Sequence, residues 1–117
     1  WSWDAPFSYT AKKDFANAES AYKKSIEVKA DDAAAYVGLA GIYFNTGKAA
    51  DAQPLVEKAV SLDPSNADAH YIYGMTLVAT DAAKAKTQFE EFVKLAPTSP
   101  NAAIANSLIT ELAKQIK

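Results

Sequence analysis

Few residues in this sequence could carry chemistry, and none stands in a pattern that a reaction needs. His70 is the single histidine, and there is no cysteine to join it in a metal site. A lone imidazole is a weak metal ligand and a poor basis for acid–base catalysis, so we interpret His70 as a packing residue. Glycine-rich phosphate loops, calcium loops and serine nucleophile motifs are absent from the sequence. We therefore expect a protein that is not an enzyme and binds no cofactor or metal.

Four carboxylates, Asp31, Asp32, Asp63 and Asp68, cluster near two short segments between apolar stretches. An acid–base pair would need two carboxylates held in different environments within one cleft. Acidic side chains at these junctions are more simply helix caps and favourable charges at helix starts. We adopt the second interpretation.

The charge of the chain does not favour nucleic acid as a partner. All 12 basic residues are lysines, and the net charge is −2. Nothing in this balance points to nucleic acid, and without arginine the bidentate recognition of phosphate or carboxylate is weakened. No apolar stretch approaches the length of about 18 residues that spans a membrane, so we expect no membrane span.

Helices must position whatever site exists, because alanine is abundant and the chain has only 4 Gly and 5 Pro. Aligned with itself, the sequence repeats every 33 or 34 residues, which indicates stacked supersecondary units. The repeating positions are Ala18, Ala52 and Ala85; Tyr22, Val56 and Phe89; Ile26, Val60 and Val93; Val28, Leu62 and Leu95; Tyr9, Tyr43 and Leu77; and Pro64 and Pro97.

The residue types at these positions are specific. The middle unit has Tyr36, Leu39, Ala40, Tyr43, Ala52, Val56, Ala59 and Pro64, and the third has His70, Tyr73, Gly74, Leu77, Ala85, Phe89, Phe92 and Pro97. This pattern resembles the tetratricopeptide repeat, over roughly residues 14–97. The resemblance implies an all-α, TPR-like α-solenoid of antiparallel helix pairs in a right-handed superhelix. Small residues would let backbones approach, and large ones would fill the space beside them.

The repeat divides the chain into one domain, 1–117, with four parts. We expect an incomplete first repeat with an extended arm (1–32), a second repeat (33–66), a third repeat (67–99) and a capping helix (100–117). Asp32 and Asn66 are the predicted N-caps of the first helices in the two full repeats. Gly47 is the expected left-handed residue of the turn in the second repeat, and Asp81 or Thr80 should cap the following helix of the third.

Two prolines and the last helix complete these expectations. Pro54 should remove one hydrogen bond and distort the first turn of its helix without breaking it. Ser99 is the predicted N-cap of the final helix and Pro100 its first residue. The predicted apolar stripe of that helix is Ala105, Leu108, Ile109, Leu112, Ala113 and Ile116, and Asn101, Asn106, Glu111, Lys114 and Lys117 should face elsewhere.

The resemblance also implies a site, because members of the family usually bind ligands in a groove lined by the first helices. The partner-binding positions that it implies are Val37, Gly41, Phe44, Asn45, Tyr71, Met75 and Val78, with Ala34, Asp68 and Ala79 beside them. Chaperone-tail receptors of the family carry a basic clamp, whereas the corresponding places here hold Val37, Gly41, Tyr71 and Met75. We therefore expect an apolar or amphipathic peptide from a protein partner. The alternative is that Phe44 and Tyr71 simply pack within the chain.

Two other functions stay open. The chain could be a structural subunit that self-assembles through an N-terminal end without an evident cap, with Trp1, Trp3 and Phe7 as contacts. It could also be an accessory domain of a larger processed protein. The repeat register predicts a two-turn helix from about Pro6, preceded by an arm that covers the chain's own seam or inserts into a neighbour. The absence of cysteine fits any compartment, and a start other than Met favours an exported protein over a cytoplasmic one.

Overall fold

The fold of this chain is built from helices alone in the part that the structure describes. The structure is a computed structural model, which describes the backbone of residues 12–116 and the side chains of residues 16–116. Six helices follow one another in that range. They are α1 (Lys12–Val28), α2 (Ala33–Asn45), α3 (Ala49–Leu62), α4 (Ala67–Leu77), α5 (Ala82–Leu95) and α6 (Ala102–Gln115). The predicted all-α helical-repeat fold is confirmed.

Each helix packs on the next one along the chain, and α2 also contacts α4. Helices α2 and α3 therefore form one pair and α4 and α5 a second, with the two first helices side by side. The handedness of the superhelix and the division into parts stay predictions.

Small residues at the repeat positions let the helices approach closely, as the pattern predicts. Ala40, Ala52 and Ala85 are completely buried. Gly74 has no space for a side chain, since a Cβ atom there would lie 2.9 Å from two carbons of the Phe89 ring. Phe89 itself is fully buried, so the large residue fills the space that the glycine leaves open.

The predicted helix ends are confirmed where short-range chemistry determines them. The side chains of Asp32, Asn66 and Asp81 accept hydrogen bonds from the backbone N–H three residues later. These bonds satisfy N–H groups that have no partner inside the helix. Gly47 has a φ of 82°, as expected for the left-handed residue of that turn. Helix α3 continues through Pro54, so the proline does not break it.

The start of α6 differs from the prediction, whereas its buried face agrees with the predicted stripe except near the C-terminal end. The helix begins at Ala102 and not at Pro100, although the Ser99 hydroxyl still accepts the Asn101 N–H at 3.1 Å. Asn101 is only 3% exposed, whereas Ala113 and Ile116 of the predicted stripe are exposed. The buried residues are Ala102, Ala105 and Leu112, with Leu108 and Ile109 half-buried. The buried face therefore agrees with the predicted stripe at Ala105 and Leu112, but burial extends to Asn101 and Ala102 at the start of the helix and is lost at its C-terminal end.

Candidate functional site

The predicted groove is the surface formed by one stripe of α2 and one of α4. On α2 the stripe contains Val37, Gly41 and Phe44, and on α4 it contains Met75 and Val78, each at helical spacing. Because α2 and α4 are in contact, we expect the two stripes to lie next to each other. We call these five residues the groove face.

The groove face is apolar and half-buried. Val37, Phe44, Met75 and Val78 are each partly exposed and pack against the hydrophobic core with the rest of their side chains. Gly41 is buried, so it contributes backbone rather than a side chain. Asn45 is half-buried at the end of α2. Side chains that are half-buried in this way are held in place and keep apolar surface for a ligand.

Tyr71 does not belong to the accessible part of this surface. Its side chain is 1% exposed, and its ring lies 4.8 Å from that of Phe92 and 5.8 Å from that of Phe89 between ring centroids. Burial also raises the pKa of the Tyr71 hydroxyl. The expectation that this ring is presented to a ligand is therefore corrected, since two aromatic residues of α5 enclose it.

A pocket of about 250 Å³ opens between α1, α2 and α4 and adjoins the groove face at Val37. We call it the first-turn pocket, because the first turns of α2 and α4 form much of its wall. Its apolar lining comes from Ala34, Val37, Gly38 and Ile72, and its polar lining from Tyr22, Asn66 and Asp68. Ile72 is 1% exposed and lies in the wall toward the core.

The formally charged residue in the pocket lining is acidic. Helix α2 carries no charged residue, and Asp68 is the only formally charged residue of α4. Asp31 and Asp32 precede α2 directly. Asp32 caps that helix through its side chain, whereas Asp68 and Asp31 are exposed. An anionic ligand group would therefore meet like charge at this end of the groove.

Four lining residues of the pocket were not among the predicted positions: Tyr22, Gly38, Asn66 and Ile72. Tyr22 comes from α1, and no sequence signal indicates that its ring reaches α2. Gly38 offered a usable signal, because glycine inside a helix costs about 1 kcal/mol and so favours a packing or functional reason.

His70 has the packing role that the sequence favours. It is 5% exposed, its Nε2 lies 2.7 Å from the carbonyl oxygen of Pro64, and its Nδ1 lies 2.7 Å from Oε1 of Gln88. The imidazole thus links the turn before α4 to helix α5. Among the described residues no cluster of three or more potential metal ligands occurs.

The predicted N-terminal contacts Trp1, Trp3 and Phe7, and the predicted helix near Pro6, lie outside the described residues. Self-association through that end stays a prediction, which size-exclusion chromatography with light scattering would test. A monomer at high protein concentration would contradict it.

The comparisons with known proteins agree with this architecture. A family model described as tetratricopeptide repeat matches residues 9–73, which is more than half of the chain. The chain therefore belongs to the tetratricopeptide repeat family. A search of curated proteins found no match.

Several solved structures share the fold. The first TPR of Spaghetti (RPAP3) bound to the HSP90 peptide SRMEEVD is 21% identical, with a TM-score of 0.78 over 90% of this chain and 82% of that one. The TPR2B domain of yeast Sti1 in a pHsp70 complex is 21% identical, with a TM-score of 0.76 over 89% and 86%. PcrH in complex with the chaperone-binding region of PopD is 15% identical, with a TM-score of 0.76 over 90% and 83%.

Family membership defines the class of function. Tetratricopeptide repeat proteins are non-catalytic modules that bind other proteins, and this chain is a protein-interaction module of that class. Across the helices that the structure describes, none combines the length and the hydropathy required to cross a bilayer.

Proposed function

We propose that this protein binds an amphipathic peptide segment of a partner protein along the groove face. The proposal is supported by the half-buried apolar side chains of Val37 and Phe44 on α2 and of Met75 and Val78 on α4, since the two helices are in contact. An apolar ligand face gains free energy by leaving water on this surface, and no lysine of either helix would have to be desolvated there.

The structural neighbours support the mode of binding by analogy of fold. Three of them are complexes: with an HSP90 peptide, with pHsp70 and with the chaperone-binding region of PopD. A helical or extended segment in a groove is a common way for helical proteins to recognise peptides.

An acidic tail is a poor ligand for this groove. Lysine and arginine form the strongest hydrogen bonds to a carboxylate, and neither α2 nor α4 carries either residue. An amphipathic segment with its apolar face toward the groove needs no basic side chain on α2 or α4.

The proposal is tested with a random pool of 12-residue peptides displayed on phage and selected against the immobilised protein. Selected peptides are then synthesised, and their affinity is measured by fluorescence anisotropy. Phe44→Ala and Met75→Ala should each weaken binding by about tenfold or more if these side chains are central contacts. Tyr71 is left unchanged, because truncating a buried aromatic residue costs about 3–5 kcal/mol of stability and would obscure the result.

Lys58→Ala on α3 is the matched control, because Lys58 is exposed on a second helix of the repeat. Far-UV circular dichroism shows whether each variant keeps its helix content. Selected peptides that bind the Phe44 and Met75 variants as tightly as the wild type would disprove binding at the groove face.

A further inference from the structure

We infer that the first-turn pocket accepts a lysine or arginine side chain of the bound segment. This inference rests on the proposed function, because it names the chemistry of one residue within the same ligand. It goes beyond the proposed function because the first-turn pocket shares only Val37 with the groove face.

The shape and lining of the pocket suit a side chain with an apolar stem and a charged end. Ile72 and Val37 offer apolar surface, and Asp68 and the Tyr22 side chain lie on the same lining. Lysine and arginine bury their methylene stems against such surface while the cation stays close to water and polar groups. The aromatic ring of Tyr22 can also attract a cation over its face.

The volume limits what the pocket can hold. At about 250 Å³ it is smaller than the range of roughly 300–1,000 Å³ found for sites of small-molecule ligands and cofactors. A single anchoring side chain of a peptide is the appropriate size, and the pocket adjoins the groove face at Val37.

Charge complementarity selects a cation. Asp68 forms no ion pair with any residue that the structure describes, and neither α2 nor α4 carries a lysine that could neutralise it. Asp31 and Asp32 add negative charge just before α2. The N-terminal ends of α2 and α4 contribute only about half a positive charge each. Their first-turn N–H groups are also partly satisfied by Asp32 and Asn66. The formal charges therefore outweigh the helix dipoles.

Other side chains fit less well. An acidic side chain would meet Asp68 at close range, and a purely apolar one would remove water from that carboxylate without replacing its hydrogen bonds. A basic side chain avoids repulsion by Asp68 and can donate hydrogen bonds to its carboxylate.

The test uses the peptides selected from the random pool against the wild-type protein. We expect the selected sequences to be enriched in lysine or arginine at a fixed distance from their apolar residues. Asp68→Asn should lower the affinity of such a peptide about two- to fivefold at low ionic strength, and less in roughly 1 M salt. Asp51→Asn is the control: Asp51 is also an exposed acidic residue in the first turn of a helix, but it lies on α3 outside the pocket.

A double-mutant cycle assigns the contact to this pair. Replacing the basic residue of the peptide by norleucine, which keeps the stem without the charge, should weaken binding to the wild type and have little further effect on Asp68→Asn.

The outcomes separate the two proposals. Binding that needs Phe44 but shows no basic enrichment, or is equally sensitive to Asp51→Asn and Asp68→Asn, overturns the cation site and leaves the groove function standing. Enrichment of acidic residues overturns it as well. Binding that does not depend on Phe44 or Met75 overturns both.

Discussion

The phenol ring of Tyr22 occupies the space that a side chain at position 38 would need. A Cβ atom built on Gly38 would overlap three carbons of that ring. The glycine therefore lets α1 and α2 come together, and both residues line the first-turn pocket. The close packing of α1 on α2 at this point depends on the absence of a side chain at Gly38.

Gly38→Ala should destabilise the protein even though alanine is the better helix former. The added methyl group must displace the Tyr22 ring, and overpacking of this kind costs about 1–3 kcal/mol. Urea unfolding followed by far-UV circular dichroism measures the loss. Tyr22→Leu removes the ring that the methyl group meets, so the double variant should lose less stability than the sum of the single ones. Additive losses would show that the ring is not the obstacle.

Gly47→Ala should also destabilise the protein, but for a different reason. The residue has a φ of 82°, and nothing lies within 4 Å of the position where its Cβ would be. The cost is therefore one of backbone conformation alone, about 1 kcal/mol in the free energy of unfolding. Gly47→Asn is the control, because asparagine tolerates the left-handed region better and should lose less. Equal stability of the alanine variant and the wild type would contradict the prediction.

His70→Leu should lower the free energy of unfolding by about 1–3 kcal/mol. The change leaves the Pro64 carbonyl and the Gln88 amide at a largely buried position without their imidazole partner. Thermal and urea unfolding measure the effect. Adding Gln88→Leu removes one of the two groups left without a partner, so it should recover part of the loss. A single variant as stable as the wild type would show that these bonds contribute nothing net.

The pair between Glu19 and Tyr43 should make stability depend on pH. The Tyr43 hydroxyl donates to Glu19 at 3.0 Å, and Lys23 lies 2.8 Å from the same carboxylate. The bonds from Lys23 and Tyr43 lower the pKa of Glu19 below its ordinary value of 4.5. A lowered pKa in the folded state means that the contribution is fully present above 4.5 and is lost as the pH falls through the folded value.

Glu19→Gln should therefore reduce stability near neutral pH, and the difference from the wild type should shrink in acid. The melting temperature as a function of pH measures both. Glu90→Gln, whose carboxylate pairs with Lys86 within α5, is the control for a salt bridge that joins no two helices. A constant difference between wild type and Glu19→Gln across the acid range would contradict this assignment.

Local chemistry explains which expectations the sequence supports on its own. The side chains of Asp32, Asn66 and Asp81 accept hydrogen bonds from backbone groups three residues away. The preference for glycine at position 47 depends only on the positive φ of that one residue. Such interactions are short in sequence, so residue type and spacing suffice to predict them. The buried alanines follow from the repeat, because the same contact recurs in each unit.

Depth of burial is less predictable, as Tyr71 shows. Helical spacing predicts that Tyr71 shares a stripe with Met75 and Val78, but spacing does not tell how far a neighbouring helix reaches across that stripe. Phe89 and Phe92 of α5 cover the Tyr71 ring. Asn101 illustrates the same limit, because helical spacing places it off the apolar stripe although it is 3% exposed in the structure.

The sequence by itself determined the class of this protein: an all-α repeat of the tetratricopeptide family, without the residue patterns of an enzyme and with an apolar stripe on its first helices. Periodicity and residue type carry that information, since equivalent positions of the repeats need side chains of similar size. Only the tertiary structure decided which of those residues remain accessible and that Tyr22, Val37 and Asp68, from three helices, line one pocket. A pocket between helices depends on distances that no single helix specifies.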